Sequence, residues 1–300
     1  MSNLFSWPPP KRKIKIITVV PVSILLVEQT LYEKTLLIGW LARALAMFRV
    51  DEVILFRDSE SSYEDLEVMN DILNYLLIPP YIRKYVVGRK DTLRYVGLLP
   101  PLNISTHPLL SDDIELLPIR EGVVLDVRGF LAKVYVGLRD YVVAEIPRDF
   151  SNGIRVGSRV LIKITKKKPL RGVIVDAESS PWYIGYKVVV ADNVEKIINI
   201  LRDPNVVGIL TTKSGNDTYS VVKEVIGKDV RTLILLFGNH KKDFNELIGH
   251  EYSTLFNDLV KFKINTIPFQ GVRSVRTVEA IYSTLAVVNE LLYMLETYKH

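Results

Sequence analysis

From Leu98 to about Pro181 the chain carries five short strand-like segments with no helix between most of them. On either side of that stretch, short β-branched runs alternate with longer amphipathic ones. This break in texture constrains the fold more than any other feature, because one chain must then build two architectures. The simplest account is a single α/β domain with a parallel sheet, assembled from both chain ends (1–97 and 182–300), with a small β-barrel inserted at 98–181. Pro100-Pro101 opens the insert, and Pro108, Pro118, Pro147 and Pro169 punctuate it. Its predicted strands are Gly122–Val127, Leu131–Val136, Tyr141–Ile146, Val160–Ile164 and Gly172–Val175. Turns are predicted at Arg128-Gly129, Leu138–Asp140, Ser151–Gly157 and Lys166–Pro169. Five strands in about 80 residues suit the OB-like class of barrel, which often binds nucleic acid.

The flanking parts read as alternating strands and helices. Ile14–Pro21 and Val53–Phe56 are predicted strands. Leu31–Phe48 places Leu37, Leu41, Ala44, Leu45 and Phe48 at helical spacing, and Ser62–Leu77 is a second helix that Pro79-Pro80 ends. After Tyr186 the predicted strands are Lys187–Ala191, Val206–Thr212, Leu233–Phe237 and Val260–Thr266. The helices between and after them are Val194–Leu201, Ser220–Ile226, Lys242–Leu247 and Val275–Tyr298. Leu233-Ile234-Leu235-Leu236-Phe237 is apolar throughout, as a parallel strand buried on both faces must be.

Composition removes several chemistries. The 300 residues include no Cys, and the four His residues show no metal-ligand spacing such as HExxH, so a transition-metal enzyme is not expected. Lys11 to Lys15 followed by the apolar run Ile16 to Val27 imitates a secretory signal, but Pro21 interrupts the run and no small-x-small cleavage site follows. A cytoplasmic protein without a membrane partner is the expectation. Net charge is +5, which favours a polyanionic partner.

In an open parallel sheet, ligands bind beyond the carboxyl ends of the strands. Three segments there join strand ends to small or polar residues: Thr211-Thr212-Lys213-Ser214-Gly215, Gly238-Asn239-His240, and Ile267 to Thr277. None matches the glycine fingerprints of dinucleotide or NTP sites, and no GxSxG elbow appears.

The last of these segments, Asn265-Thr266-Ile267-Pro268-Phe269-Gln270-Gly271-Val272-Arg273-Ser274-Val275-Arg276-Thr277-Val278-Glu279-Ala280, resembles the signature of SPOUT, or trefoil-knot, RNA methyltransferases. The chain is similar in particular to the archaeal and eukaryotic subgroup with an OB-like barrel inserted in the knotted domain. Leu41 to Ala44, Val50 to Val53, Tyr81 to Lys84, Leu98 to Leu102, His107-Pro108 and Arg120 to Val123 resemble that subgroup's joints, so the likeness covers nearly the whole chain. The resemblance implies a homodimer whose knot binds S-adenosylmethionine and whose substrate is RNA, ribosomal more readily than transfer RNA. By position, it implies a cofactor cradle of Thr211, Thr212, Gly215, Gly238, Ile267, Gln270, Gly271, Val275, Arg276 and Thr277. The acceptor is either a base nitrogen or a ribose hydroxyl. Glu279, the carboxylate nearest the motif, is a candidate base, and Arg43 a candidate for orienting the acceptor or holding a phosphate. Thr211 stands where such proteins often have Gly, which leaves open a second reading: an RNA-binding or ribosome-assembly factor with the same fold and little catalysis.

Between Phe150 and Gly172 lie seven basic residues, Arg155, Arg159, Lys163, Lys166, Lys167, Lys168 and Arg171, and no acidic one. They form a candidate track for an RNA backbone, with Tyr135, Tyr141, Trp182 and Tyr183 near enough in sequence to stack bases.

Overall fold

The structure, a computed structural model, describes residues 5–109, 113–150 and 153–297. It divides into two compact units. One comprises 13–74, 92–100 and 186–297, and the other the described parts of 5–12, 75–91 and 101–185. The barrel's unit thus includes 5–12 and 75–91, which the reading of the sequence leaves with the sheet.

The first unit is built on a parallel sheet. In chain order its elements are β1 (Lys15–Pro21), α1 (Leu31–Met47), β2 (Glu52–Phe56) and α2 (Tyr63–Leu76); a short helix, α3 (Arg83–Val86), belongs to the other unit. Thr30 starts α1 with a capping box, its hydroxyl taking the Glu33 N–H while the Glu33 carboxylate takes the Thr30 N–H. The barrel strands β3 to β7 intervene and are described below. The sheet resumes with β8 (Lys187–Ala191), α4 (Glu195–Leu201), β9 (Val206–Asp217), α5 (Thr218–Ile226) and β10 (Thr232–Leu236). It closes with α6 (Phe244–Leu247), α7 (His250–Leu259), β11 (Phe262–Asn265) and α8 (Thr277–Thr297).

All six strands run parallel in the order β11-β9-β10-β1-β2-β8, so both chain ends contribute, as expected. The two central strands explain the apolar run. Ile234 and Leu236 pack with Ile197, Phe244 and Phe256 from α4, α6 and α7, while Leu233 and Leu235 point to the opposite face and are equally buried. Burying one such side chain contributes about 1.5–3 kcal/mol. Helices α1 and α5 both pack against α8.

Two expectations change. Helix α7 is absent from the reading of the sequence because its apolar contacts are sparse, with Phe256 its one buried residue; Gly249, at φ +85, separates it from α6. Strand β9 runs on through Thr211–Gly215, expected as a loop. The final helix ends at Thr297, and Tyr298 lies outside the described residues.

The second unit holds a closed barrel of β3 (Ile119–Arg128), β4 (Leu131–Tyr135), β5 (Val142–Glu145), β6 (Arg159–Lys167) and β7 (Leu170–Val175) in the order β3-β4-β5-β7-β6. Alternate residues such as Val134, Val142, Ala144 and Ile162 fill its interior. Lys166 and Lys167 pair with Arg171 and Leu170, so the predicted turn at Lys166–Pro169 shrinks to Lys168-Pro169. Of the predicted turn Ser151–Gly157, Ser151 and Asn152 lie outside the described residues.

His107 is buried in this unit, its Nε2 3.1 Å from the Leu77 carbonyl oxygen. Burial pushes its imidazole down to about 4, the Leu77 carbonyl opposing and the Arg83 and Arg159 charges assisting. The unfolded chain, titrating near 6.5, takes up the proton first, so stability is intact above that pH and is lost as pH falls toward 4. Between pH 7 and 5 the barrel unit is expected to lose about 2 kcal/mol more than a His107→Gln variant does. Urea unfolding at both pH values checks this, and parallel losses in the two proteins would disprove it.

Candidate functional site

Strand β9 lies between edge strand β11 and β10. Consecutive residues Lys263 and Ile264 of β11 pair with Leu210 and Asn216, so Thr211–Gly215 leave the ladder as an excursion and rejoin it. Gly215 marks the return. A Cβ there would overlap the Ile264 carbonyl group and lie 2.6 Å from the Asn265 nitrogen, so no other residue fits without moving that backbone. The Thr211 hydroxyl donates to the Leu236 carbonyl (2.9 Å), the Thr218 hydroxyl to that of Asn265 (3.0 Å), and Asn265 Nδ2 to that of Lys213 (2.8 Å).

After β11 the chain turns toward β10. The Thr277 hydroxyl donates to the Gly238 carbonyl at 3.0 Å, and Ser274 Oγ to that of His240 at 3.3 Å. Because β9 separates β11 from β10, the segment between Asn265 and Thr277 crosses the end of β9. The crossing, the excursion and the loop after β10 enclose a cleft of about 410 Å³. Of the ten positions that the resemblance implies for a cradle, Thr211, Thr212, Gly238, Ile267, Gln270, Val275 and Thr277 line it. Gly215 shapes the wall from behind. Gly271 is exposed with nothing within 4 Å of where its Cβ would be, and Arg276 faces elsewhere.

The loop after β10 is held from several sides. A Cβ on Gly238 would come 2.8 Å from the Asp243 Cα, so the chain folds tightly back on itself there. Asn239 Nδ2 donates to Ser23 Oγ (3.0 Å) and Glu60 Oε2 (2.9 Å), while its Oδ1 takes the Lys241 and Lys242 N–H groups. Lys242 Nζ donates to Glu60 Oε1 at 2.6 Å and holds that carboxyl below the usual carboxylate range. Asp243, whose Oδ2 accepts from Thr212 at 2.6 Å, and Glu246 also line the cleft. The two form the capping box of α6, a D-x-x-E pattern legible in the sequence but unused in the reading of the site.

A second cleft, of about 400 Å³, shares His240 and Thr277 with the first. Its walls are mostly apolar: Ile24, Val27, Leu36, Leu37 and an exposed Trp40. Arg276 lines it with its guanidinium 3.0 Å from Glu28. Glu279 also reaches it, but the carboxylate accepts the Arg276 N–H at 2.8 Å and so fastens the start of α8. Arg43 sits half-buried on α1, close enough to Tyr282 to act on its titration, and lines neither cleft.

On the barrel, all seven basic residues are exposed. Two have acidic partners that a scan confined to 150–172 misses: Arg159 pairs with Glu121, and Lys167 with Glu115 (2.8 Å) and Asp113 (3.3 Å). Lys133, Val143, Arg171 and Lys166 lie side by side across four strands. Lys133 Nζ also sits 3.7 Å from the centre of the exposed Tyr141 ring. Tyr183 is buried and unavailable for stacking.

The family model described as "Putative RNA methyltransferase" matches residues 15–288. A protein of Haloarcula marismortui is 26% identical over 279 residues, 89% of this chain and 95% of its own length. The 28S rRNA (uridine-N(3))-methyltransferase of Drosophila melanogaster is 28% identical, covering 91% of this chain and 61% of that protein. Its Homo sapiens counterpart is also 28% identical, covering 89% and 76%. With the cleft at the strand ends and the match over most of its length, the chain belongs to this family of RNA methyltransferases.

Proposed function

We propose that the chain transfers a methyl group from S-adenosylmethionine to N3 of a uridine in ribosomal RNA. The observation that carries this reading is the cleft of about 410 Å³ walled by backbone from three neighbouring strand ends. Its volume suits an adenosyl group, and the tight fold-back at Gly238, where a Cβ would press on the backbone of Lys242 and Asp243, holds one wall in place. Asp243 and Glu246 would take donors such as ribose hydroxyls or an ammonium, and Lys213 and Arg273 a carboxylate. Bound there, the donor supplies an electrophilic methyl on a sulfonium. The chain's own contribution is positioning and exclusion of water, for which effective molarities worth up to about 7–11 kcal/mol are known. We infer that the crossing of β9 is threaded, as the trefoil knot of the SPOUT resemblance requires.

Transfer of labelled methyl groups to in-vitro transcribed ribosomal RNA, followed by nucleoside mass analysis, tests the reading; 3-methyluridine is the expected product. Gly238→Ala is expected to weaken S-adenosylmethionine binding at least tenfold in calorimetry while the protein stays folded. A wild-type protein that binds no donor at millimolar concentration would favour the assembly-factor reading instead.

The barrel, OB-like in its strand order, is the proposed grip on RNA. Lys133, Lys166 and Arg171 share one row, and none of the three has an ion-pair partner among the described residues. Double reversal, Lys166→Glu with Arg171→Glu, is expected to weaken RNA binding and to flatten its dependence on salt by about two phosphate contacts' worth. Lys167→Glu is expected to lose less, since that ammonium already faces two carboxylates. Equal losses in filter-binding titrations would refute the assignment.

A homodimer is proposed through α8. Ile281, Leu285, Val288 and Leu292 are buried in the chain's own core, whereas Val287, Leu291 and Met294 form a second stripe left partly uncovered. The span Thr277–Leu295 is long and apolar enough to cross a membrane, yet α1 and α5 pack on it. Leu291→Arg is expected to shift the sedimentation from dimer to monomer, and an unchanged dimer would move the interface elsewhere.

A further inference from the structure

His240 lies where the two clefts meet, one of two residues that line both. Its Nδ1 is shut away from solvent and has no hydrogen-bond partner among the described residues. The loop that carries it is fastened by Asn239 to Ser23 and Glu60, and the His240 carbonyl accepts from Ser274, so the backbone presenting the ring is fixed. The second cleft offers what a pyrimidine ring needs: apolar walls from Leu36 and Leu37 and the exposed indole of Trp40 for stacking.

The acidic groups in the two clefts each already accept a hydrogen bond from the chain. Glu28 is held by Arg276 at 3.0 Å, Glu33 by the Thr30 N–H and hydroxyl at 2.9 and 2.8 Å, and Glu279 by the Arg276 N–H. In the first cleft, Asp243 takes the Thr212 hydroxyl and Glu246 the Asp243 N–H at 2.8 Å. Lys213, Lys241, Lys242 and Arg273, the remaining charged groups there, are cations and have no lone pair to offer.

We propose that the second cleft receives the target uracil and that the His240 imidazole accepts its N3 proton, an inference that rests on the uridine-N3 reading above. The N3–H bond breaks to the imidazole, and N3 keeps the electron pair. That pair forms the bond to the methyl carbon, while the pair of the breaking carbon–sulfur bond leaves with the sulfur. The imidazolium then returns its proton to water. A general base of this kind contributes typically 10²–10⁴-fold.

The test uses the full-length protein and a His240→Gln variant, which retains a hydrogen-bonding side chain but cannot take the proton. Single-turnover methylation of in-vitro transcribed ribosomal RNA is expected to slow about 100-fold in the variant. The acid limb of the wild-type pH profile should vanish with it, while calorimetry should show that the variant still binds S-adenosylmethionine. Independently of turnover, uridine monophosphate added with S-adenosylhomocysteine is expected to move the His240 ring resonances among the four histidines. A variant with the wild-type rate and pH profile, or a His240 ring unmoved by the nucleotide, overturns the proposal. Loss of donor binding by the wild type would instead strike the reading of the first cleft.

Discussion

Gly215 and the backbone of Ile264 and Asn265 touch with no side chain between them, and the geometry of the first cleft follows from that contact. Strand β9 must leave the ladder for five residues and return against β11, which is possible only where the returning residue lacks a Cβ. The excursion supplies one wall. The return fixes β11, and from β11 the chain sets out across the end of β9 to supply the second. Asn265 then binds β11 to the excursion through the Lys213 carbonyl, and Thr218, the first residue of α5, donates to the Asn265 carbonyl, so that excursion and crossing are one construction.

The division of labour within that construction is chemical. Backbone, which presents donors and acceptors at fixed positions, makes the walls. Side chains with charge are mostly spent on holding those walls: Glu60 on the loop after β10, Glu279 on the start of α8, Glu246 on the start of α6.

The parallel sheet was legible because Leu233–Phe237 and its neighbours carry their burial in their own composition. The barrel was legible in its strand spacing. Seven of the ten positions carried over from the family line the first cleft: four from the contiguous motif of which the crossing is made, two from the excursion of β9 and one from the loop after β10. What escaped depended on contacts distant in sequence. Glu279 looks like a free carboxylate until its bond to the Arg276 N–H is seen, and Lys167 like a free ammonium until Asp113 and Glu115 come into view. His240 falls in one of the three segments that the sequence puts at the strand ends, but a loop without periodicity does not tell a pocket-facing histidine from a solvent-facing one, still less that it stands between two clefts. Helix α7, with a single buried residue, has too weak an apolar stripe to announce itself.

The anchoring of Asn239 has a thermodynamic consequence. Four hydrogen bonds, all to groups of the chain itself, hold that one side chain. A molecule arriving at the cleft therefore meets a finished surface, and little conformational freedom of the loop remains to be surrendered on association. Binding there draws chiefly on contact and desolvation, and release needs no melting of the wall.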